Sequence, residues 1–192
     1  MDLFPMFLKL EGRRCLLVGA GAVAEVKLGS LLAAGADVLV VAPRATDQIR
    51  AALLEGKFRW KQRPFAPSDL DGMFLVVAAA DSPQVHEVVY YEAQKRGVLC
   101  NVVDEPGRCD FYYPAVVRRG PLQIAISTSG RSPALAQRLR QQLERQFGLE
   151  FEDWVERLGA VRDRLLARKM DPARRRRILV WMARREPWKK PA

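Results

Sequence analysis

Cys15-Leu16-Leu17-Val18-Gly19-Ala20-Gly21-Ala22-Val23-Ala24 is the stretch on which the fold turns. Leu16-Leu17-Val18 reads as a buried strand, and Gly19 then supplies a tight turn into a helix. Gly21 leaves its backbone bare for close approach of a phosphate, and Ala24 lets the helix pack closely on the strand. Backbone N–H groups at such a helix start point at anions. A G-x-G-x-x-A pattern between an apolar strand and a helix predicts a dinucleotide site. Its pyrophosphate would lie on Gly19, Ala20, Gly21, Ala22, Val23 and Ala24.

Outward from the turn, the Ala- and Leu-rich segment from Val23 to Ala34 reads as a helix stopped by Gly35. Val38-Leu39-Val40-Val41 reads as a second strand and Phe58-Arg59-Trp60 as a short one. Met73 to Ala78 is a continuous apolar run, as a parallel strand covered on both faces requires. Ser82-Pro83 starts a helix that ends at Gly97, and Val98 to Val103 gives another strand. This alternation predicts an α/β fold with a Rossmann-like parallel sheet over residues 1–113. A small α+β segment, 114–148, follows and is expected to pack against the first domain or a second subunit. Within it two short strands flank the turn Arg118-Arg119-Gly120-Pro121, and a helix begins at Pro133. Leu135, Leu139, Leu143 and Phe147 recur every four residues along that helix, and two strands with one helix make too small a core to stand alone. Residues 149–192 form a basic helical region, in which Phe151, Trp154, Val155, Leu158, Val161, Leu165 and Leu166 share a face. Asp171-Pro172 opens a second helix, and the closing stretch from Glu186 to Ala192 is expected to fray.

The composition narrows the chemistry. The chain has 192 residues and a formal charge of +10. The first 150 residues carry 19 basic and 16 acidic side chains, whereas the last 42 carry 13 and 6, so the tail holds most of the excess. No apolar run is long enough to span a membrane, and the N-terminus lacks signal-peptide character, which predicts a cytoplasmic protein. Three cysteines without metal spacing and a single histidine, His86, argue against a zinc site or a disulfide framework. Cys15 and Cys100 read as core, and His86 reads as incidental to a helix. The quartet Arg174 to Arg177 reads as a solvated helix face, since no aromatic platforms interleave with it as nucleic-acid binding would require.

Three further sites carry chemistry. The second strand ends in Ala42-Pro43-Arg44, without the acidic residue that usually holds the adenine ribose. Pro43 and Arg44 then border the nucleotide; Arg44 either accepts a 2′-phosphate or stacks on adenine, so NAD and NADP both stay open. Ala80, beyond the third apolar run, joins the same cofactor site. Asp104 follows Cys100-Asn101-Val102-Val103 at the carboxyl end of a strand, where open α/β sheets bind ligands. It reads equally as a general base, given burial that raises its pKa, or as the cap of the turn Glu105-Pro106-Gly107. Ser127-Thr128-Ser129-Gly130-Arg131-Ser132 reads either as an anion site or as a capped helix start.

Taken in order, these blocks resemble the precorrin-2 dehydrogenase part of siroheme synthases, a family with dehydrogenase/ferrochelatase members. The resemblance rests on Leu3 to Leu10, Cys15 to Ala24, Cys100 to Asp104, Phe111 to Ala115 and, most specifically, Ile124 to Ala136. It implies a homodimer, joined through the dimerisation segment 114–148, that oxidises precorrin-2, a carboxylate-rich tetrapyrrole, with NAD. It implies Asp104 as general base, and Asn101, Thr128, Ser129, Arg131 and Arg118 near the substrate, with Arg108 and Arg119 as further arginine candidates. Thr128 stands where the family often has serine, and keeps the hydroxyl. Asp104 can also accept pyrrole protons during insertion of iron or cobalt, which some members perform.

Overall fold

The computed structural model describes residues 3–185, so the fraying expected of Glu186 to Ala192 lies outside it. The chain divides into two compact units, Met1–Tyr112 and Tyr113–Ala192.

In the first unit, β1 (Arg14–Val18), β2 (Asp37–Val41), β3 (Arg59–Lys61), β4 (Leu75–Ala78) and β5 (Leu99–Val102) form one parallel sheet in the order β3-β2-β1-β4-β5. β1, β2, β4 and β5 are short and mostly apolar because both faces are covered, whereas the edge strand β3 is the polar, largely exposed Arg59-Trp60-Lys61. Leu16, Val18, Leu39, Val41, Val76, Ala78, Cys100 and Val102 face α3 (Pro83–Arg96), where Val89 and Ala93 complete a buried cluster. Their alternating neighbours, among them Leu17, Val40 and Val77, line the other face. There α1 (Ala22–Ala33) buries Ala24, Leu28 and Leu31. Cys15 and Cys100 are fully buried core residues, and burial pushes their thiols up to about 11 and about 12. Right-handed crossovers place the two helices on opposite faces, because the chain leaves β1 towards β2 and returns to β4 on the far side. The junction of β1 and β4 is therefore the switch point of the sheet.

Helix ends follow local chemistry. The Ser82 hydroxyl accepts from the Val85 amide ahead of Pro83, and Gly97 closes α3 in a left-handed conformation at φ 65°. One helix was not foreseen: α2 (Asp47–Leu54), capped by the Thr46 hydroxyl. It has only two turns and buries only Ile49, too little pattern to show as a period.

In the second unit β6 (Ala115–Arg119) pairs antiparallel with β7 (Leu122–Ile126). The turn is confined to Gly120-Pro121, so Arg118 and Arg119 belong to the strand rather than to the turn expected there. α4 (Pro133–Gln146) packs on both strands, and α5 (Glu150–Ala167) packs on α6 (Pro172–Ala183). Along α5 the expected face is half-buried to buried, except that Leu166 is exposed.

Candidate cofactor crevice and site residues

The two glycines of the turn do different things. Gly19 sits at φ 103°, and a Cβ there would lie 2.3 Å from the Ala79 carbonyl oxygen. Gly19 is thus required by the protein itself, where the end of β1 meets the end of β4. Gly21 is exposed, has an ordinary φ of −86°, and would place a Cβ in open space. That bare backbone at the start of α1 fits a pyrophosphate, which needs the room and the free N–H groups.

The space itself is a crevice of about 500 Å³ at the switch point. Gly21, Ala22 and Val23 form one side of its lining; Ala79, Ala80 and Asp81 come from the end of β4, and Val103, Asp104 and Glu105 from the end of β5. The loop after β2 is tied to the turn, because the Thr46 amide donates to the Ala20 carbonyl at 3.1 Å. Pro43 and Arg44 stand exposed in that loop. The structure therefore brings Gly21, Ala22, Val23, Ala80 and Asp104 into one crevice, with Pro43 and Arg44 on the segment beside it. Gly19, Ala20 and Ala24 are buried beneath the turn and shape it from within.

Asp104 is exposed and adopts φ 62°, one of three non-glycine residues with positive φ among those described. An aspartate tolerates this conformation better than most residues, but it is an uncommon one, and such outliers gather at functional sites. Lys27 of α1 lies within its electrostatic reach. Burial lowers the Lys27 ammonium, while the nearby charges of Asp104 and Cys109 act to raise it.

Asn101 is buried, and its amide donates to the Phe111 carbonyl at 2.8 Å and the Cys109 sulfur at 3.4 Å. Its amide nitrogen is thus engaged in holding the loop behind Asp104 rather than offered to a substrate. Arg108 is likewise engaged, donating to Glu105 at 2.8 Å.

Sequence reasoning passed over His86. The structure places it in the first turn of α3, on the crevice lining, with Nδ1 2.8 Å from a Glu105 carboxylate oxygen. This hydrogen bond, with Arg108 behind it, outweighs burial and keeps the Glu105 carboxyl below its ordinary pKa. The two residues are 19 apart in the chain, so no local pattern could have paired them.

The remaining candidates lie in the second unit. The Thr128 hydroxyl accepts from the Ser132 amide at 3.0 Å, Ser127 Oγ accepts from the Ser129 amide at 3.1 Å, and Ser132 Oγ accepts from the Leu135 amide at 3.3 Å. Ser129 and Gly130 are both left-handed, at φ 51° and 76°. The segment is a tightly wound start to α4, with Ser129 and Arg131 exposed. Arg118 is exposed on β6, whereas Arg119 donates to the Phe147 and Glu144 carbonyls at 2.8 and 3.0 Å and closes the end of α4. Arg119 therefore drops out as a substrate arginine, and Arg118 and Arg131 stay accessible.

The comparisons with known proteins agree with this geometry. A family described as putative NAD(P)-binding matches residues 6–115, and one described as sirohaem biosynthesis protein, central, matches residues 119–146. The siroheme synthase of Photorhabdus laumondii is 39% identical over 176 residues, covering 92% of this chain and 37% of the relative. Siroheme synthase 3 of Aeromonas hydrophila is 40% identical over 178 residues, covering 93% and 38%. The chain thus spans a little over a third of the length of these relatives. A solved structure of SirC, a precorrin-2 dehydrogenase, superposes with a TM-score of 0.81 at 27% identity, covering 94% of this chain and 89% of that one. With its first unit an NAD(P)-binding domain and its second matched by the sirohaem central model, the chain belongs to the precorrin-2 dehydrogenase and siroheme synthase family.

Proposed function

We propose that this chain oxidises precorrin-2 to sirohydrochlorin with NAD. The observation that carries the reading is the meeting of Asp104 and the glycine turn in one crevice, in a chain whose siroheme synthase relatives align over more than nine-tenths of it. Precorrin-2 and NAD⁺ give sirohydrochlorin, NADH and a proton, so the substrate loses one hydride and one proton as its conjugation extends.

Gly21, Ala22 and Val23 hold the pyrophosphate on backbone N–H groups, and Ala80 and the Pro43–Arg44 loop border the rest of the nucleotide. The nicotinamide bound there supplies the hydride acceptor. Asp104 takes the proton from the substrate, with Lys27 providing a positive charge nearby. Because Asp104 is exposed in the isolated chain, the bulk of the substrate itself excludes water from it. Arg118 and Arg131, with the hydroxyls of Thr128 and Ser129, meet the substrate's carboxylates; arginine suits them by its planar, bidentate fork. If iron or cobalt is then inserted, the Asp104 carboxylate can accept the displaced pyrrole protons.

The second unit supports a homodimer. Among its described residues only Val117, Ala136 and Leu165 are buried hydrophobics, while Leu135 and Trp181 are exposed. Such a unit gains by covering its apolar surface with a second copy. Among the described residues no helix is long and apolar enough to cross a membrane, and we place the reaction in the cytoplasm.

Anaerobic incubation with precorrin-2 and either nucleotide tests the reading. Reduced NAD should appear together with the sirohydrochlorin spectrum, and more slowly with NADP. No reduced nucleotide from either would overturn it.

A further inference from the structure

His86 is half-buried, with 12% side-chain exposure, yet only one of its two ring nitrogens is satisfied. Nδ1 meets the Glu105 carboxylate, and Nε2 is buried with no hydrogen-bond partner among the described residues. An ionised carboxylate only accepts, so Nδ1 carries a proton and donates it, while Nε2 is left without a partner among the described residues. Burying that nitrogen unpaired is unfavourable, and a leucine of similar size would avoid the cost. Packing alone therefore gives no reason for histidine at this position; the bond to Glu105 does.

That bond joins two walls of the crevice. His86 belongs to the first turn of α3, and Glu105 directly follows Asp104. Glu105 is gripped from a second side by Arg108, its amide donates to the Val102 carbonyl at 3.2 Å, and its carbonyl receives the Arg108 amide at 2.9 Å. The Cys109 sulfhydryl lies 3.1 Å from the Val102 carbonyl and 3.3 Å from that of Glu105. Asp104 sits inside this closed loop in its left-handed conformation, which persists only where the surroundings over-determine it. Of the side chains gripping Glu105, Arg108 belongs to the loop itself, whereas His86 reaches in from a separate, rigid element.

We infer that His86 is a positioning residue for the dehydrogenation: by holding Glu105 against α3 it fixes the backbone that presents the Asp104 carboxylate to the crevice. The inference rests on the reading of Asp104 as the base. It predicts that His86 affects turnover through Asp104 and leaves nucleotide binding alone.

Three variants separate the ring nitrogens. His86→Asn places an amide donor where Nδ1 is, His86→Gln places a polar group nearer to Nε2, and His86→Leu keeps the bulk without either. His86→Leu should lower kcat by ~10- to 100-fold, the scale of a misplaced catalytic group, with the Kd for NAD by calorimetry unchanged. His86→Asn should recover most of the turnover and His86→Gln should not. Hydrogen exchange over residues 103–109 should quicken in His86→Leu and return to the wild-type rate in His86→Asn. Recovery by His86→Gln alone, or a weakened Kd for NAD, would overturn the inference and make Nε2 a cofactor contact. Unchanged kcat or unchanged exchange in His86→Leu would also overturn it. If the wild-type chain forms no reduced nucleotide from precorrin-2, the proposed function fails by itself, and the exchange rates still decide whether His86 holds the loop.

Discussion

Gly19→Ala and Gly21→Ala are neighbouring substitutions within one motif, and the structure assigns them opposite consequences. At Gly19 the added Cβ meets the Ala79 carbonyl oxygen at 2.3 Å and its carbon at 2.6 Å, and the backbone is at φ 103°. The conformational penalty is ~1–2 kcal/mol, and forcing the strand ends apart adds ~1–3 kcal/mol. A loss of ~3 kcal/mol lowers the melting temperature of a chain this size by about 6–12 °C. At Gly21 the Cβ enters open space at an allowed φ. Reduced chain entropy offsets the slightly poorer helix cap, so stability stays within ~0.5 kcal/mol of wild type. In the proposed site, however, that open space is where the pyrophosphate approaches the backbone. Losing one charge-assisted hydrogen bond there raises the Kd for NAD by ~10- to 100-fold. Thermal melting and calorimetric titration with NAD separate the two effects. A Gly21→Ala chain that binds NAD as tightly as wild type would refute the placement of the pyrophosphate, and a Gly19→Ala chain that melts with wild type would refute the clash.

Asp104→Asn keeps a residue that tolerates a positive φ, so it should fold as wild type yet lose ~10²-fold or more in dehydrogenation; an active variant removes Asp104 as the base. The buried Asp69 provides a pH test. Burial pushes its carboxyl up, but hydrogen bonds from Arg63, Lys61 and the Ala66 amide outweigh this and leave it at about 2. A pKa depressed on folding stabilises at neutral pH, and that contribution fades as pH falls through the folded value. The stability gap between wild type and Asp69→Asn should narrow by about 2 kcal/mol from pH 5 to pH 2, and a constant gap in urea titrations would contradict this. Arg119→Ala leaves the α4 carbonyls of Glu144 and Phe147 without their donor. It should cost ~1–2 kcal/mol in denaturant and leave NAD affinity unchanged; weaker NAD binding would show that its role is misassigned.

The parallel sheet was legible in the chain because four of its five strands are mostly apolar on both faces and two of its helices stop at Gly35 and Gly97, signals carried by neighbouring residues. The place of Asp104 on the crevice was legible for a similar reason, since it lies just past a strand whose carboxyl end opens there. What escaped sequence reading depends on distance along the chain or on backbone angles. His86 finds Glu105 across 19 residues, and Arg119 finds its carbonyl partners 25 and 28 residues on. Arg108 and Arg119 look like free cations in sequence and are engaged in the fold. The double duty of the glycines also needed coordinates, because only the neighbour at Ala79 distinguishes Gly19 from Gly21.

The left-handed backbone of Asp104 has a consequence for anyone who engineers this chain. Glycine would relax that residue by about 1 kcal/mol, so selection for thermal endurance alone should drive position 104 towards glycine. The more durable chains would then be the ones stripped of their carboxylate. With Asp104 as the proposed base, durability and chemistry compete at this one residue, and only a screen that scores turnover as well as melting would keep the aspartate.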